Sequence, residues 1–449
     1  MPLARRRLYI AHVSETPLAY RALARVADLA LPLAGSLSPK LATGDRERRA
    51  ALARWRAWAA EHRNPARPLL WIHAPSVGEG LQAQAILAIL RPRHPEWQIV
   101  ATFFSPSAEP LAGRQPADHV DYIPYDTPAN VDAMLTALTP TAIVFTKADL
   151  WPELATRART RGIAVGMVAG TVSPVSRRRR PIARWLARAG YASLDRVGAI
   201  ADQDAQGLRV LGTRADRITV TGDPRFDSAL TRAARFPADW PPRRLTADGR
   251  ALVAGSTWPP DEAVLLEAFA VVRAHRTDAR LVLVPHEPDP DHVAELLEVL
   301  AQSDTPAAAY SALPGHAAIP PVVVVDRVGL LAGLYHDAVA AFVGGGFGTA
   351  GLHSVLEPAA CRVPVAFGPR WQSSREAGLL LAAGAARALD EVSATDAAAE
   401  LAQWWLGMLQ DPRARDTAGK RAHAVLEGET GGAQRNAAVI ERLMLPGLG

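Results

Sequence analysis

The stretch Gly344 to Arg370 reads GGGFGTAGLHSVLEPAACRVPVAFGPR, and its reading decides the fold. The apolar run Ala338 to Val343 precedes it and has the length of a buried strand. Gly344, Gly345 and Gly346 follow, where the backbone can take positive φ and approach a ligand closely. His353 to Pro358 reads as the start of a helix, whose free N–H groups suit a phosphate. His353 and Glu357 stand four apart and would share one face of that helix. A second strand, Val363 to Phe367, ends at Gly368-Pro369-Arg370. A strand that delivers a glycine loop, a His, a Glu and an Arg to one sheet edge matches where open α/β sheets bind ligands.

Outward from that stretch, strands and helices alternate twice. Strands are expected at Leu69–His73, Gln98–Phe104, Tyr122–Tyr125, Ala142–Phe145, Ala164–Val168, Arg196–Ile200 and Ile218–Val220. A second set is expected at Ala251–Ala254, Leu281–Val284, Val322–Val325, Val339–Val343 and Val363–Phe367. Proline-rich 233–248 interrupts the pattern and reads as a linker. The expected organisation is a helical segment over 1–67, a Rossmann-like domain over 68–232, another over 249–430, and a C-terminal helix over 431–449. Two such α/β domains would face a central cleft, a favoured place for ligands.

The bulk composition narrows the function classes. A chain of 449 residues exceeds one ordinary core, and 49% hydrophobic with 21% charged residues is globular. The formal charge of +5 suits an anionic partner or reflects an arginine-heavy genome. Cys361 is the single cysteine, which excludes an internal disulfide framework and a cysteine metal cluster. Arg5-Arg6-Arg7 is followed by too few apolar residues for an export signal, and no apolar run is long enough to span a bilayer. Tyr20–Leu33 is amphipathic, and Arg46–His62 is basic and carries Trp55 and Trp58. That segment either lies at a membrane interface or packs on its own domain.

Candidate chemistry sits on the C-terminal side of successive strands. His73-Ala74-Pro75-Ser76-Val77-Gly78-Glu79-Gly80 places a carboxylate on a glycine-flanked turn. Glu79 is either a rigidly held general base or a helix-start glutamate favoured by the dipole. Thr146-Lys147-Ala148-Asp149 offers a cation that can stabilise a leaving group, or a solvated edge. Thr221-Gly222-Asp223-Pro224-Arg225 holds an arginine in a constrained turn. In the second half, Gly255-Ser256-Thr257-Trp258, Pro285-His286-Glu287-Pro288 and Asp326-Arg327-Val328-Gly329 occupy equivalent places. His286-Glu287 has no neighbour at ligand spacing, so hydrogen bonding to a ligand is favoured over a metal. Arg177 to Arg180 reads first as a solvated loop and secondarily as a contact for an acidic acceptor or membrane.

Seven stretches occur together in order: WIHAPSVGEG, TFFSPS, VFTKADLW, TGDPRFD, AGSTWPPDE, VPHEP and GGGFGTAGLHSVLEPAA. With them the chain, from about Tyr20 onward, resembles the 3-deoxy-D-manno-octulosonic acid (Kdo) transferases of lipopolysaccharide assembly. The resemblance implies a GT-B fold and inverting, metal-free transfer of Kdo from CMP-Kdo to a lipid A precursor. It implies no cofactor, no nucleic acid partner, and work at the cytoplasmic face of the inner membrane as a peripheral protein.

The family's Ser-Val-Gly-Glu glutamate corresponds to Glu79, with Lys147 and Arg225 matching positions that support the transition state. The CMP-sugar site would include Pro285, His286, Arg327, Val328, Gly329, Gly345, Gly346, His353, Ser354, Val355, Leu356 and Glu357. Three stretches depart from the common pattern. Lys147-Ala148-Asp149-Leu150-Trp151-Pro152 stands for Glu-Thr-Glu-Leu-Trp-Pro, Pro285-His286-Glu287-Pro288 for Pro-Arg-His-Pro, and His353-Ser354 for His-Asn. The competing readings are a sugar-nucleotide epimerase of the same layout and a non-enzymatic two-lobed sugar-binding protein.

Overall fold

The computed structural model describes residues 15–34, 39–315, 318–390 and 393–445. The Arg5-Arg6-Arg7 start lies outside them. The chain divides into two compact units. One ends at Ser228 and takes back the chain from Thr430, and the other runs Ala229–Glu429.

The first unit is a parallel seven-stranded sheet. Its strands are β1 (Leu69–His73), β2 (Gln98–Phe103), β3 (His119–Tyr122), β4 (Ala142–Thr146), β5 (Ala164–Gly170), β6 (Arg196–Ala199) and β7 (Ile218–Val220). They lie in the order β3-β2-β1-β4-β5-β6-β7. β1 and β4 are adjacent and parallel although far apart in sequence, so the strand order reverses between them. Ligands bind at such reversals in open α/β sheets. β3 falls earlier than Tyr122–Tyr125, because Pro124 has no N–H for the ladder.

Helices cover both faces. The Pro39–His62 helix sends Trp55 and Trp58 into the core, and Trp55 Nε1 donates to the Tyr122 carbonyl at 2.8 Å. Its tryptophans are therefore packing residues, and the membrane alternative for that face falls. The Leu18–Ala34 helix is different. Tyr20 donates to Asp126 at 2.7 Å and Arg21 pairs with Glu153 at 2.9 Å, which tie one side down. Leu18, Leu23, Val26 and Leu29 stay exposed on the rest of its surface. Among the described residues, no helix is long and apolar enough to cross a membrane.

The last helix, Gly432–Met444, belongs to this first unit. Gly431 breaks the preceding helix at φ +85°, and Ala437, Ile440 and Leu443 bury against the sheet. Asn436, fully buried, fixes the return. Its Oδ1 accepts from the Ala169 N–H and the Thr221 hydroxyl, and its Nδ2 donates to the Gly222 and Gly432 carbonyls.

The second unit repeats the plan with β8 (Ala251–Thr257), β9 (Arg280–Pro285), β10 (Ala307–Ala309), β11 (Val322–Val324), β12 (Ala340–Val343), β13 (Val365–Phe367) and β14 (Ala386–Ala388). All are parallel, in the order β10-β11-β9-β8-β12-β13-β14, and the reversal falls between β8 and β12. β10 and β14 were not expected from the sequence. Both are three-residue edge strands rich in alanine, a poor strand former. The 233–248 segment, expected as a linker, belongs to this unit. Arg243 grips Asp337 with two hydrogen bonds of 2.7 and 2.8 Å.

Candidate active site

At the reversal of the first sheet, the turn after β1 meets the turn after β4. Glu79 lies in the first turn of the Val77–Arg93 helix and is 7% exposed. Lys147 follows β4 directly, with φ at +57°. A non-glycine residue is uncommon in that left-handed region, and in this conformation the side chain reaches across to the turn after β1. Its Nζ donates to Glu79 Oε1 at 2.8 Å, and the Ser76 hydroxyl donates to Glu79 Oε2. Ser76 precedes the helix but makes no cap bond; its hydroxyl goes to the carboxylate. Burial pushes the Glu79 pKa up, but the Lys147 ammonium and these two hydrogen bonds outweigh it and hold the carboxyl below its ordinary value.

Arg225 joins the same neighbourhood through Asp223. The Asp223 carboxylate, 1% exposed, takes Arg225 Nε at 2.8 Å and Nη2 at 2.7 Å. It also accepts from Gln82 Nε2 at 3.2 Å. Gln82 lies one turn after Glu79 on the same helix, so Arg225 is tied to the element that carries the carboxylate. The Glu79–Lys147 pair and the Asp223–Arg225 pair are thus two separate ion pairs joined through the Val77–Arg93 helix that carries Glu79 and Gln82.

Asp149, the other strand-end acid, pairs instead with Arg178 at 2.9 Å, both partners half exposed. That contact also accounts for one member of the four-arginine run, whose residues form an exposed turn.

In the second unit, the loops after β8 and β12 are joined by Asp261. Its fully buried carboxylate accepts the Gly345 N–H at 2.8 Å, the Trp258 N–H at 3.0 Å and the Phe347 N–H at 3.3 Å. Burial raises the Asp261 pKa, and the three N–H donors oppose that rise. Over this joint sit three rings. Trp258 Nε1 donates to His353 Nε2 at 2.9 Å, and His286 stacks on His353 with centroids 4.2 Å apart. Burial, then the neighbouring His286, brings the His353 pKa down to about 4. Asp261 was not among the expected site residues, and Trp258 was expected only as part of the turn after β8, with no role of its own. The Trp258-Pro259-Pro260-Asp261 spacing, an acid three residues after a helix cap, was the available signal.

The glycine loop has a tighter reason for its composition than ligand approach. Of Gly344, Gly345 and Gly346, only Gly345 takes positive φ, at +94°. A Cβ on Gly344 would strike Ser256, one on Gly345 the Gly351 carbonyl, and one on Gly346 the backbone of Gly368. The three glycines are required by backbone packing inside the unit.

His353 and Glu357 do not share a helix face. The helix is one turn, Leu356–Ala360, and His353 lies before it, pinned by its N–H to the Gly344 carbonyl at 3.1 Å. Glu357 points to Arg232 instead, at 3.0 Å. Ser354 is exposed and its hydroxyl accepts the Leu356 N–H at 3.4 Å, while Val355 and Leu356 are buried. Pro285 closes β9 and His286 is exposed beyond it. Arg327, Val328 and Gly329 form an exposed turn past β11, with Gly329 at φ +84°. Among the described residues, no group of three or more His, Cys, Asp or Glu side chains could hold a metal ion.

Comparison with known proteins places the sequence in a family. Residues 46–228 match the family model for 3-deoxy-D-manno-octulosonic-acid transferase (kdotransferase). A 3-deoxy-D-manno-octulosonic acid transferase of Bordetella pertussis is 30% identical over 389 residues, covering 83% of this chain and 86% of that one. That of Chlamydophila psittaci is 29% identical over 334 residues, covering 73% and 75%. Among solved structures, a UDP-GlcNAc 2-epimerase of Neisseria meningitidis superposes with a TM-score of 0.58 at 11% identity, covering 84% of this chain and all of the other. A glycosyltransferase of Rickettsia africae gives a TM-score of 0.58 at 10% identity, covering 85% and 99%. At such identities these two speak for the fold alone, and the fold is GT-B. The sequence relationship goes further: the chain belongs to the 3-deoxy-D-manno-octulosonic acid transferase family and is a glycosyltransferase.

Proposed function

We propose that this protein transfers Kdo from CMP-Kdo to a lipid A precursor, with inversion and with Glu79 as general base. The observation that carries the reading is the Glu79 carboxylate held by Lys147 and Ser76 at the reversal of the first sheet, in a chain of this family. With its pKa held low, Glu79 is ionised at neutral pH and can accept a proton. It takes the proton of an acceptor sugar hydroxyl as that oxygen bonds to the anomeric carbon of Kdo. The bond from that carbon to the CMP phosphate oxygen breaks, and CMP leaves with the electron pair. Lys147 and Arg225 offer positive charge to the developing anion.

The donor nucleotide is assigned to the second unit, at Gly345, Gly346, His286, His353, Ser354 and the Arg327–Gly329 turn. Glu357, steadied by Arg232, would accept from the ribose hydroxyls. No step in this scheme uses a metal or cofactor, and no nucleic acid takes part.

The acceptor is a lipid, so the protein is placed on the cytoplasmic face of the inner membrane as a peripheral protein. The exposed Leu18, Leu23, Val26 and Leu29 support that placement. The epimerases of the same fold supply the competing reading, and nucleotide preference separates the two. CMP should raise the melting temperature and UDP should not; stabilisation by UDP alone would favour the epimerase.

A further inference from the structure

We infer that Trp258 is a positioning residue of the donor site: its indole N–H fixes His353 as the tautomer protonated on Nδ1, so His353 meets the donor as a neutral hydrogen-bond donor. The inference rests on the assignment of the donor to the second unit, but its chemistry stands on three contacts of its own.

An indole nitrogen can only donate. At 2.9 Å from Trp258 Nε1, His353 Nε2 must therefore present its lone pair. A neutral imidazole carries one proton, so the proton is on Nδ1. The assignment follows from the partner's chemistry, where ring nitrogens alone would leave it open. Among the described residues, none forms a hydrogen bond with Nδ1, which leaves that N–H available for an oxygen of the ligand.

Both ends of the contact are immobilised. The Trp258 backbone N–H is held by Asp261 at 3.0 Å, on the same carboxylate oxygen that holds Gly345. The His353 backbone N–H is held by the Gly344 carbonyl at 3.1 Å. The indole and His353 rings are near parallel, at 13°, and the His286 ring lies 5.0 Å from the indole and 4.2 Å from His353. A second proton on His353 would have to displace the indole N–H. Burial and the nearby His286 oppose that protonation as well. His353 consequently stays neutral, and it offers one N–H in one direction.

The test is nitrogen NMR on full-length protein with 15N-labelled histidine, the His353 signal being identified by its loss in His353→Gln. At neutral pH the wild-type His353 should show a protonated Nδ1 and an unprotonated Nε2. Trp258→Phe keeps an aromatic ring and removes the N–H, and should release His353 into a mixture of tautomers. Donor KM should then rise about three- to tenfold, as expected for loss of one aligned hydrogen bond, and more than kcat falls. A wild-type proton on Nε2, or on both nitrogens, would overturn the inference without recourse to any variant. So would a tautomer shift in Trp258→Phe that leaves KM unchanged. Failure of CMP to bind the wild-type protein would be a separate result. It would remove the donor-site assignment, and the tautomer measurement distinguishes the two.

Discussion

Lys147 Nζ lies 2.8 Å from Glu79 Oε1, a contact made because β1 and β4 are neighbours in the sheet though their turns are 68 residues apart. The pair puts a buried carboxylate and a half-exposed ammonium at the edge where the strand order reverses. Its chemistry follows from the competition between burial and charge. Burial alone would raise the Glu79 pKa, and Lys147 with Ser76 reverses the sign.

Glu79→Gln keeps the shape and removes the basicity. Turnover should fall by about two to four orders of magnitude, while CMP affinity is retained. Asp149→Asn breaks only a surface pair with Arg178 and should cost little. Steady-state kinetics on both variants decides it; near-normal transfer in Glu79→Gln with loss in Asp149→Asn would reassign the base.

Lys147→Met leaves burial as the largest influence on Glu79. The acid limb of the kcat/KM profile, which reports the free base, should move to higher pH in this variant. The same pair contributes to stability with a defined sign. A carboxylate whose folded pKa is depressed stabilises the protein above its unfolded pKa, and that contribution is lost as pH falls through the folded value. Acid unfolding of the wild type should therefore show a contribution that Lys147→Met lacks. An unmoved acid limb in the variant would mean that Lys147 does not set the basicity of Glu79.

Asn436→Ala should destabilise the first unit by about 1–3 kcal/mol, the cost of leaving buried partners unsatisfied. The Ala169 N–H and the Gly222 and Gly432 carbonyls would lose their side-chain partner. Urea unfolding checks it, and a variant as stable as wild type would show that the return of the last helix is held elsewhere.

The exposed face of the Leu18–Ala34 helix should bind vesicles containing anionic lipid. Replacing Leu23 and Leu29 with Glu puts charge on that face and should lower the bound fraction in a flotation assay. Equal binding by the double variant would remove the face from the membrane account.

Much of this fold could be read in the sequence, because valine, isoleucine and leucine runs mark the central strands. The alanine edge strands Ala307–Ala309 and Ala386–Ala388 carry no such mark, since their pairing is imposed by neighbours. The site was legible where one turn contains its own chemistry, as at Ser76 and Glu79. It was not legible where loops distant in sequence combine. Asp261 reaches Gly345 across 84 residues, and Trp258 reaches His353 across 95. The shared helix face expected for His353 and Glu357 failed for a local reason. The backbone of His353 is committed to the glycine loop, so the helix starts only at Leu356. The return of the last helix was equally hidden, because a buried asparagine in a helix looks like any polar residue until its four partners are in place.

The measurement that bears most directly on the account is a transfer assay with full-length protein, CMP-Kdo and a lipid A precursor, read by mass spectrometry. Wild-type protein should convert the lipid to a species heavier by one or more Kdo residues and release CMP in step, and Glu79→Gln should yield almost none. An unchanged lipid in the presence of wild-type protein that binds CMP would contradict the account.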